Sequence, residues 1–148
     1  MAVVELASRR ASPVEEGLPD TPTLGAALRR HLSRLREVVV DGATDFDAGE
    51  RAALSAADDA EFLVLATRDA YLWPEERRLV ADLVAGGRPV LLVALRNPYD
   101  LAVLPRTAAA AAAYADVPVT LEALADAVCG RAGWPGTLPI ELPAEAGR

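Results

Sequence analysis

Six apolar residues stand in a row at Val90-Leu91-Leu92-Val93-Ala94-Leu95, after Gly86-Gly87 and before the polar stretch Arg96-Asn97-Pro98. The run has the length of a strand and no polar position on either side of the pleat. A strand that is apolar on both faces is typical of the middle of a parallel sheet covered by helices on both sides. The sequence therefore predicts a protein of the α/β class.

Similar short runs recur along the chain and alternate with helical patterns. This alternation indicates right-handed βαβ units. We expect a single domain over residues 1–148, built as a three-layer sandwich. Its mostly parallel sheet has five to six strands in flavodoxin-like order, with helices on both faces. Besides the run at 90–95, the strands are expected at Val3–Leu6, Val38–Val40, Phe62–Ala66 and near 110–114.

The expected helices have recognisable patterns. Leucines recur at helical spacing from Leu24 to Leu35. Asp47 and Glu50 resemble a capping box ahead of an Ala-rich helix. Pro74 suits the first position of a third helix, and Thr120 is expected to cap a last one.

The secondary structure of two segments near the C-terminus needs separate argument. The alanines from Ala108 to Ala113 favour a helix by propensity, whereas the alternating order of elements requires a strand there. We predict the strand. Residues 131–148 are expected to form an extension, in which Leu138-Pro139-Ile140-Glu141-Leu142 would add a final edge strand.

Composition excludes several classes of protein. The 148 residues are 52% hydrophobic, which excludes a disordered chain, and the net charge of −7 argues against nucleic acid or an anionic membrane as the main partner. A single cysteine, Cys129, and a single histidine, His31, exclude an intrachain disulfide and any site built on several imidazoles. No apolar stretch is long enough for a membrane span and no signal peptide is recognisable. With Met1 as the natural start, the expected location is the cytoplasm.

Ligands of such sheets bind at the carboxyl ends of the strands, so the loops after the third and fourth strands carry the candidate site. An alternative interpretation is structural, with Asn97 as a helix cap and Pro98 as the first helical residue. No phosphate-cradling glycine motif follows a strand, and no pair of nucleophile and base can be assembled. We therefore expect no cofactor, no metal and no catalytic residue in this chain. The candidate site residues are Arg68, Asp69, Arg96, Asn97, Tyr99 and Asp100.

Several stretches together resemble one known family. Gly87-Arg88-Pro89-Val90 and the run Ala94–Leu101 resemble a strand and the loop that follows it in the C-terminal α/β sandwich domain of glycoside hydrolase family 3, in its bacterial β-N-acetylhexosaminidase branch. Thr67-Arg68-Asp69-Ala70 is similar to the loop after the preceding strand of that domain. Two further stretches that fit the same pattern in order are Tyr114-Ala115-Asp116 with Leu121-Glu122-Ala123-Leu124, and Gly136-Thr137-Leu138-Pro139-Ile140.

The resemblance implies that this chain is the non-catalytic C-terminal domain of a β-N-acetylhexosaminidase- or β-glucosidase-like hydrolase of carbohydrate metabolism. Such an enzyme releases a terminal β-linked sugar, and its nucleophilic aspartate lies in a preceding (β/α)8 barrel that this chain lacks. The implied partners are that barrel and the terminal sugar of the substrate. By the same resemblance, the candidate loops would contact the sugar or the barrel.

Two other functions remain open. A stand-alone flavodoxin-like module could bind a small polar or anionic ligand through Arg9, Arg10, Arg68 and Arg96. A self-contained small enzyme is disfavoured, because no reactive pair is visible. A domain without its natural neighbour would also expose an apolar patch, through which a homodimer could form.

Overall fold

The computed structural model describes residues 1–7, 9 and 22–142 of the chain. They form a five-stranded sheet in the order β2-β1-β3-β4-β5, in which every pair of neighbours is parallel. The predicted α/β sandwich and its flavodoxin-like order are confirmed. The strands are β1 (Ala2–Leu6), β2 (Arg36–Val40), β3 (Leu63–Thr67), β4 (Val90–Ala94) and β5 (Ala109–Ala112).

Five helices and one 3₁₀ turn cover the two faces of the sheet. Helices α2 and α3 enclose one core with Val4, Leu65 and Leu92, whereas α1 and α5 enclose the other with Val64 and Leu91. Adjacent residues of β3 and β4 thus feed opposite cores, as the pleat requires. The helices are α1 (Leu24–Leu28), α2 (Phe46–Asp58), α3 (Pro74–Ala85), α4 (Asp100–Val103) and α5 (Pro118–Val128), and the 3₁₀ helix is Ala70–Leu72.

β4 is an interior strand that is covered on both faces, as predicted, although β3 lies in the middle of the five. All five of its residues are buried, and it lies between β3 and β5. The predicted end of α3 is confirmed as well, because Gly87 adopts a φ of 75° that a residue with a Cβ rarely takes. None of the helices in the described part of the chain is long and apolar enough to cross a membrane.

The strand predicted in the alanine run forms. Ala109–Ala112 pair in parallel with β4, with Leu91 opposite Ala109 and Ala94 opposite Ala112. Alanine favours a helix in isolation, but the open edge of β4 offers backbone hydrogen bonds that a helix at this position would leave unmade. Tertiary pairing therefore overrides local propensity here.

The first helix is shorter than its leucine spacing predicts. Helix α1 ends at Leu28, and the N–H groups of Arg30 and His31 donate three residues back, to the carbonyls of Ala27 and Leu28. This tight turn redirects the chain toward β2, which begins only a few residues later. Leu32 and Leu35 pack against the α1/α5 core without being helical.

Two predicted caps are wrong. Helix α2 is capped by Asp45, whose carboxylate accepts from the N–H of Ala48 at 2.9 Å, and Asp47 lies inside its first turn. Helix α5 begins at Pro118 rather than after Thr120. Helix α2 starts earlier than predicted because an apolar residue ahead of the expected cap packs against a core. Helix α5 starts earlier because a proline sets its first turn.

The final edge strand is also wrong for the described residues. No strand forms over 138–142, and this segment is mostly exposed. Pro139 restricts backbone pairing to one side of the segment, and no strand in the described residues is paired with it. Residues 143–148 of the expected extension lie outside the described residues.

Replacing Asp45 by Ala removes the cap of α2, and we expect the free energy of unfolding to fall by about 1 kcal/mol. Asp47→Ala is the matched control, since this carboxylate caps nothing and should change stability by only a few tenths of a kcal/mol. Urea unfolding followed by circular dichroism measures both. Equal losses in the two variants would contradict the assignment.

Candidate functional site at the strand carboxyl ends

The last residues of β3 and the loop after it divide between the two faces of the sheet. Thr67 points toward the core of α2 and α3, and Arg68 points toward the side of α1 and α5. The polar residues at the carboxyl ends therefore form two separate groups instead of one crevice.

Arg68 is buried, at 4% exposure, and each of its three guanidinium nitrogens contacts an oxygen of the chain. Its Nη2 lies 2.7 Å from Oε1 of Glu5 in β1, and its Nε donates to Oδ2 of Asp116 at 2.9 Å. Its Nη1 donates to the carbonyl of Leu6 at 3.2 Å. One guanidinium thus ties together β1, β3 and the loop after β5.

Glu5 is a site residue that the sequence reasoning missed. It is buried within β1, and its Oε2 accepts from the N–H of Leu24, the first residue of α1, at 2.8 Å. Burial raises the pKa of Glu5, and the neighbouring Arg68 opposes that rise. The sequence did contain a signal for this role, because Glu5 is a charged residue inside the apolar run Val3–Leu6. A charge in a strand that is covered on both faces requires a buried partner.

Asp100 is also buried, on the opposite face. Its Oδ2 accepts from the hydroxyl of Thr67 at 2.6 Å, and its Oδ1 accepts from the N–H of Tyr71 at 2.9 Å. Burial raises the pKa of Asp100, and these hydrogen bonds oppose the rise. Asp100 in α4 therefore forms hydrogen bonds that link α4 to β3 and to the 3₁₀ helix. The candidate site assumed a side chain that faces solvent, but that of Asp100 is buried.

The other four predicted residues lie nearer the surface. Asp69 adopts a left-handed φ of 58°, and its carboxylate lies 3.7 Å from Nη1 of Arg96. Asn97 accepts from the N–H of Tyr99 at 3.1 Å, so it caps the turn before α4, although the helix itself begins only at Asp100. The exposed ring of Tyr99 meets Tyr71 edge-on, with 6.1 Å between centroids.

Arg9 forms a second, partly buried cluster with residues of α2, of α3 and of the loop before α3. Its Nη1 lies 2.6 Å from Oε1 of Glu75, and its Nε lies 3.0 Å from Oε1 of Glu76. The guanidinium also stacks over the rings of Trp73, at 4.9 Å, and Phe46, at 5.7 Å. A Cβ at Gly42 would come within 1.6 Å of this guanidinium, so the position requires glycine while Arg9 stays in place.

Glu76 is the most perturbed acid of this cluster. It is 1% exposed, and its Oε2 has no hydrogen-bond partner. Burial raises the pKa of Glu76 to about 7; Arg9 opposes the rise, and the carboxylates of Glu75, Asp100 and Asp69 add to it. Its place in the first turn of α3 predicted only a favourable interaction with the helix dipole.

These contacts limit what the carboxyl ends can do chemically. Arg68 and Arg9 are neutralised by buried carboxylates, and Arg10 lies outside the described residues. The described ranges contain no group of His, Cys, Asp and Glu that could hold a metal ion. His31, in the turn after α1, has its Nε2 3.1 Å from Oδ1 of Asp126 in α5. The buried polar groups at this end of the sheet thus bind one another.

The fold and this internal pairing define a doubly wound α/β sandwich whose strand ends are closed by its own side chains. No family model and no curated protein matches the chain. Among solved structures, a glycoside hydrolase family 3 β-N-acetylglucosaminidase from Paenibacillus sp. str. FPU-7 matches 95% of this chain with a TM-score of 0.85 and 27% identity.

A fungal multi-domain GH3 β-N-acetylglucosaminidase, which has a GCN5-related glucosamine N-acetyltransferase region, matches 99% of the chain with a TM-score of 0.77. At 18% identity this second match shows the fold alone. The chain spans 27% and 16% of the lengths of these two proteins. The resemblance to the sandwich domain of glycoside hydrolase family 3, including its bacterial branch, is confirmed.

Proposed function

We propose that this chain is the non-catalytic α/β sandwich domain of a glycoside hydrolase family 3 β-N-acetylglucosaminidase, and that it packs on a (β/α)8 barrel that carries the reactive groups. The observation that carries the proposal is the match over 95% of this chain to 27% of the bacterial enzyme. The internally paired acids and arginines support it, because none of them is placed as a reactive pair.

The proposed docking face for the barrel lies at the carboxyl ends of β3 and β4. Leu72, Tyr99 and Val103 are exposed there, at 44%, 47% and 49%. Tyr99 directly precedes α4 with helical backbone angles, so it lies on the same side as Val103 four residues later. The 3₁₀ helix that holds Leu72 packs against α4. Arg96 and Asn97 lie on the adjoining loop and are candidates to contact the sugar or the barrel at its rim.

The function is tested by assaying two proteins on 4-nitrophenyl N-acetyl-β-D-glucosaminide: the purified chain, and the product of the complete genomic reading frame around it. We expect no nitrophenol release from the chain alone and release from the complete product. Turnover that copurifies with the chain itself, or a complete reading frame without a (β/α)8 barrel, would overturn the proposal.

The docking face makes a separate prediction for Val103→Asp. In the isolated chain this exposed position should change stability by less than about 0.5 kcal/mol. In the complete product the buried charge should lower the unfolding temperature of the sandwich by several degrees, measured by calorimetry. Val39→Asp, on the far edge strand β2 and also exposed, is the control and should affect both proteins equally. Equal behaviour of the two variants would reject this face.

The alternative of a stand-alone module for an anionic ligand has less support. It required Arg9, Arg68 and Arg96 as cation donors, and each of them lies against a carboxylate of its own chain. An anion would have to compete with these carboxylates, and displacing the buried Glu5 or Glu76 would leave an unpaired buried charge, at a cost of several kcal/mol.

A further inference from the structure

The outer edge of β5 is open in the described part of the chain. β5 pairs with β4 on one side, and no described strand pairs with its other side. The N–H of Ala113 donates to the carbonyl of Ala94 at 2.8 Å. Because backbone groups alternate along a strand, the N–H groups of Ala110 and Ala112 point outward. Charged side chains, prolines and bulges protect most edges, and this strand of four alanines contains none of them.

An apolar pocket of about 320 Å³ lies beside this open edge. It is formed by the face of β4 and β5 that α5 covers, and the exposed indole of Trp134 borders it. A free strand edge next to an apolar pocket is the combination that binds an added strand: the backbone supplies hydrogen bonds and the pocket takes alternate side chains. Leu91, Ala109, Ala111, Val128 and Trp134 are among the residues that line it.

The chain contains a segment of matching pattern over residues 137–142. Leu138, Ile140 and Leu142 alternate with polar residues and Pro139, so all three apolar side chains share one face of an extended strand. Leu138 and Ile140 are exposed in this structure. The backbone of Pro139 would face away from a partner that pairs with Leu138 and Ile140, so the missing N–H costs no hydrogen bond.

We propose that residues 137–142 of a second copy of this chain add to the open edge of β5, with Leu138 and Ile140 in the pocket. Each copy carries both the open edge and the alternating segment, so a two-fold exchange satisfies both at once and closes as a dimer. The second copy is the favoured donor because the segment's own chain leaves it unpaired, while that chain's Trp134 already borders the pocket. This inference does not depend on the proposed function.

The oligomeric state of the purified chain tests the proposal by sedimentation equilibrium over a wide range of concentration. We expect a monomer–dimer equilibrium that Ile140→Asp weakens by about tenfold or more, since it places a charge in an apolar pocket. Ala110→Pro removes an outward N–H only and should weaken the dimer as well. Val119→Asp, exposed on α5 outside the pocket, is the control and should leave the dimer intact. A chain that stays monomeric at every concentration overturns the proposal.

Cross-linking distinguishes the second copy from the chain's own segment. In a Cys129→Ser background, one preparation carries Ala111→Cys, whose side chain is on the pocket face of β5, and another carries Ile140→Cys. Mixed under mild oxidation, the two should form a disulfide-linked heterodimer in higher yield than either forms with itself. A double variant that instead closes the bond within one chain would assign the edge to its own segment and overturn the exchange. Circular dichroism of each variant confirms that it is folded.

Discussion

Arg68→Ala should lower the free energy of unfolding by about 3–5 kcal/mol, because it leaves the buried carboxylate of Glu5 without its cation. Glu5 is 1% exposed and lies 2.7 Å from Nη2 of Arg68. The same change also removes the donors to Asp116 and to the carbonyl of Leu6. Urea unfolding at pH 7 measures the loss directly.

Two variants separate a broken ion pair from a general loss of packing. Arg30→Ala breaks the surface ion pair with Glu122, in which the two side chains are 63% and 51% exposed. This change should lower the free energy of unfolding by less than about 1 kcal/mol. The double variant Glu5→Leu with Arg68→Met replaces the buried pair by apolar side chains and should recover most of the stability. A double variant as unstable as Arg68→Ala would show that the charges are not the cause.

The second large effect concerns the pH dependence of stability. The pKa of Glu76 is raised from an ordinary 4.5 to about 7, so the folded state keeps a proton that the unfolded state has lost between these values. The free energy of unfolding therefore falls as the pH rises from about 4.5 to about 7, and is constant with respect to this group above that range. The shift corresponds to roughly 3 kcal/mol in total.

Glu76→Gln mimics the protonated form and should remove this part of the slope, measured as urea midpoints from pH 5 to pH 8. Burial also raises the pKa values of Glu5 and Asp100, so the slope of the unmodified chain contains their contributions, and the difference between the two proteins isolates Glu76. The pKa of Glu75 is lowered by its hydrogen bonds, which puts its contribution below the range measured. Glu61→Gln, at an exposed position outside this cluster, is the control, and an unchanged slope in Glu76→Gln would refute the assignment.

The candidate site was predicted only in part. Position in the chain placed all six candidates at the carboxyl ends of β3 and β4, because parallel strands end at one edge of the sheet. It did not show that Arg68 and Asp100 point to opposite faces or that both are buried. Those outcomes depend on Glu5 and Thr67, whose side chains become neighbours only when strands distant in sequence come together.

By itself, the sequence determined the class of fold, the order of its elements and the interior, covered position of β4. Each of these follows from burial on both faces, which leaves a local mark as an apolar run between helical patterns. The alternating order of elements already predicted a strand in the alanine run, but the tertiary structure alone decided that Leu138–Leu142 form no strand and which acids neutralise Arg68 and Arg9. These outcomes depend on contacts between residues far apart in the chain, and such contacts leave no mark in the local pattern of residues.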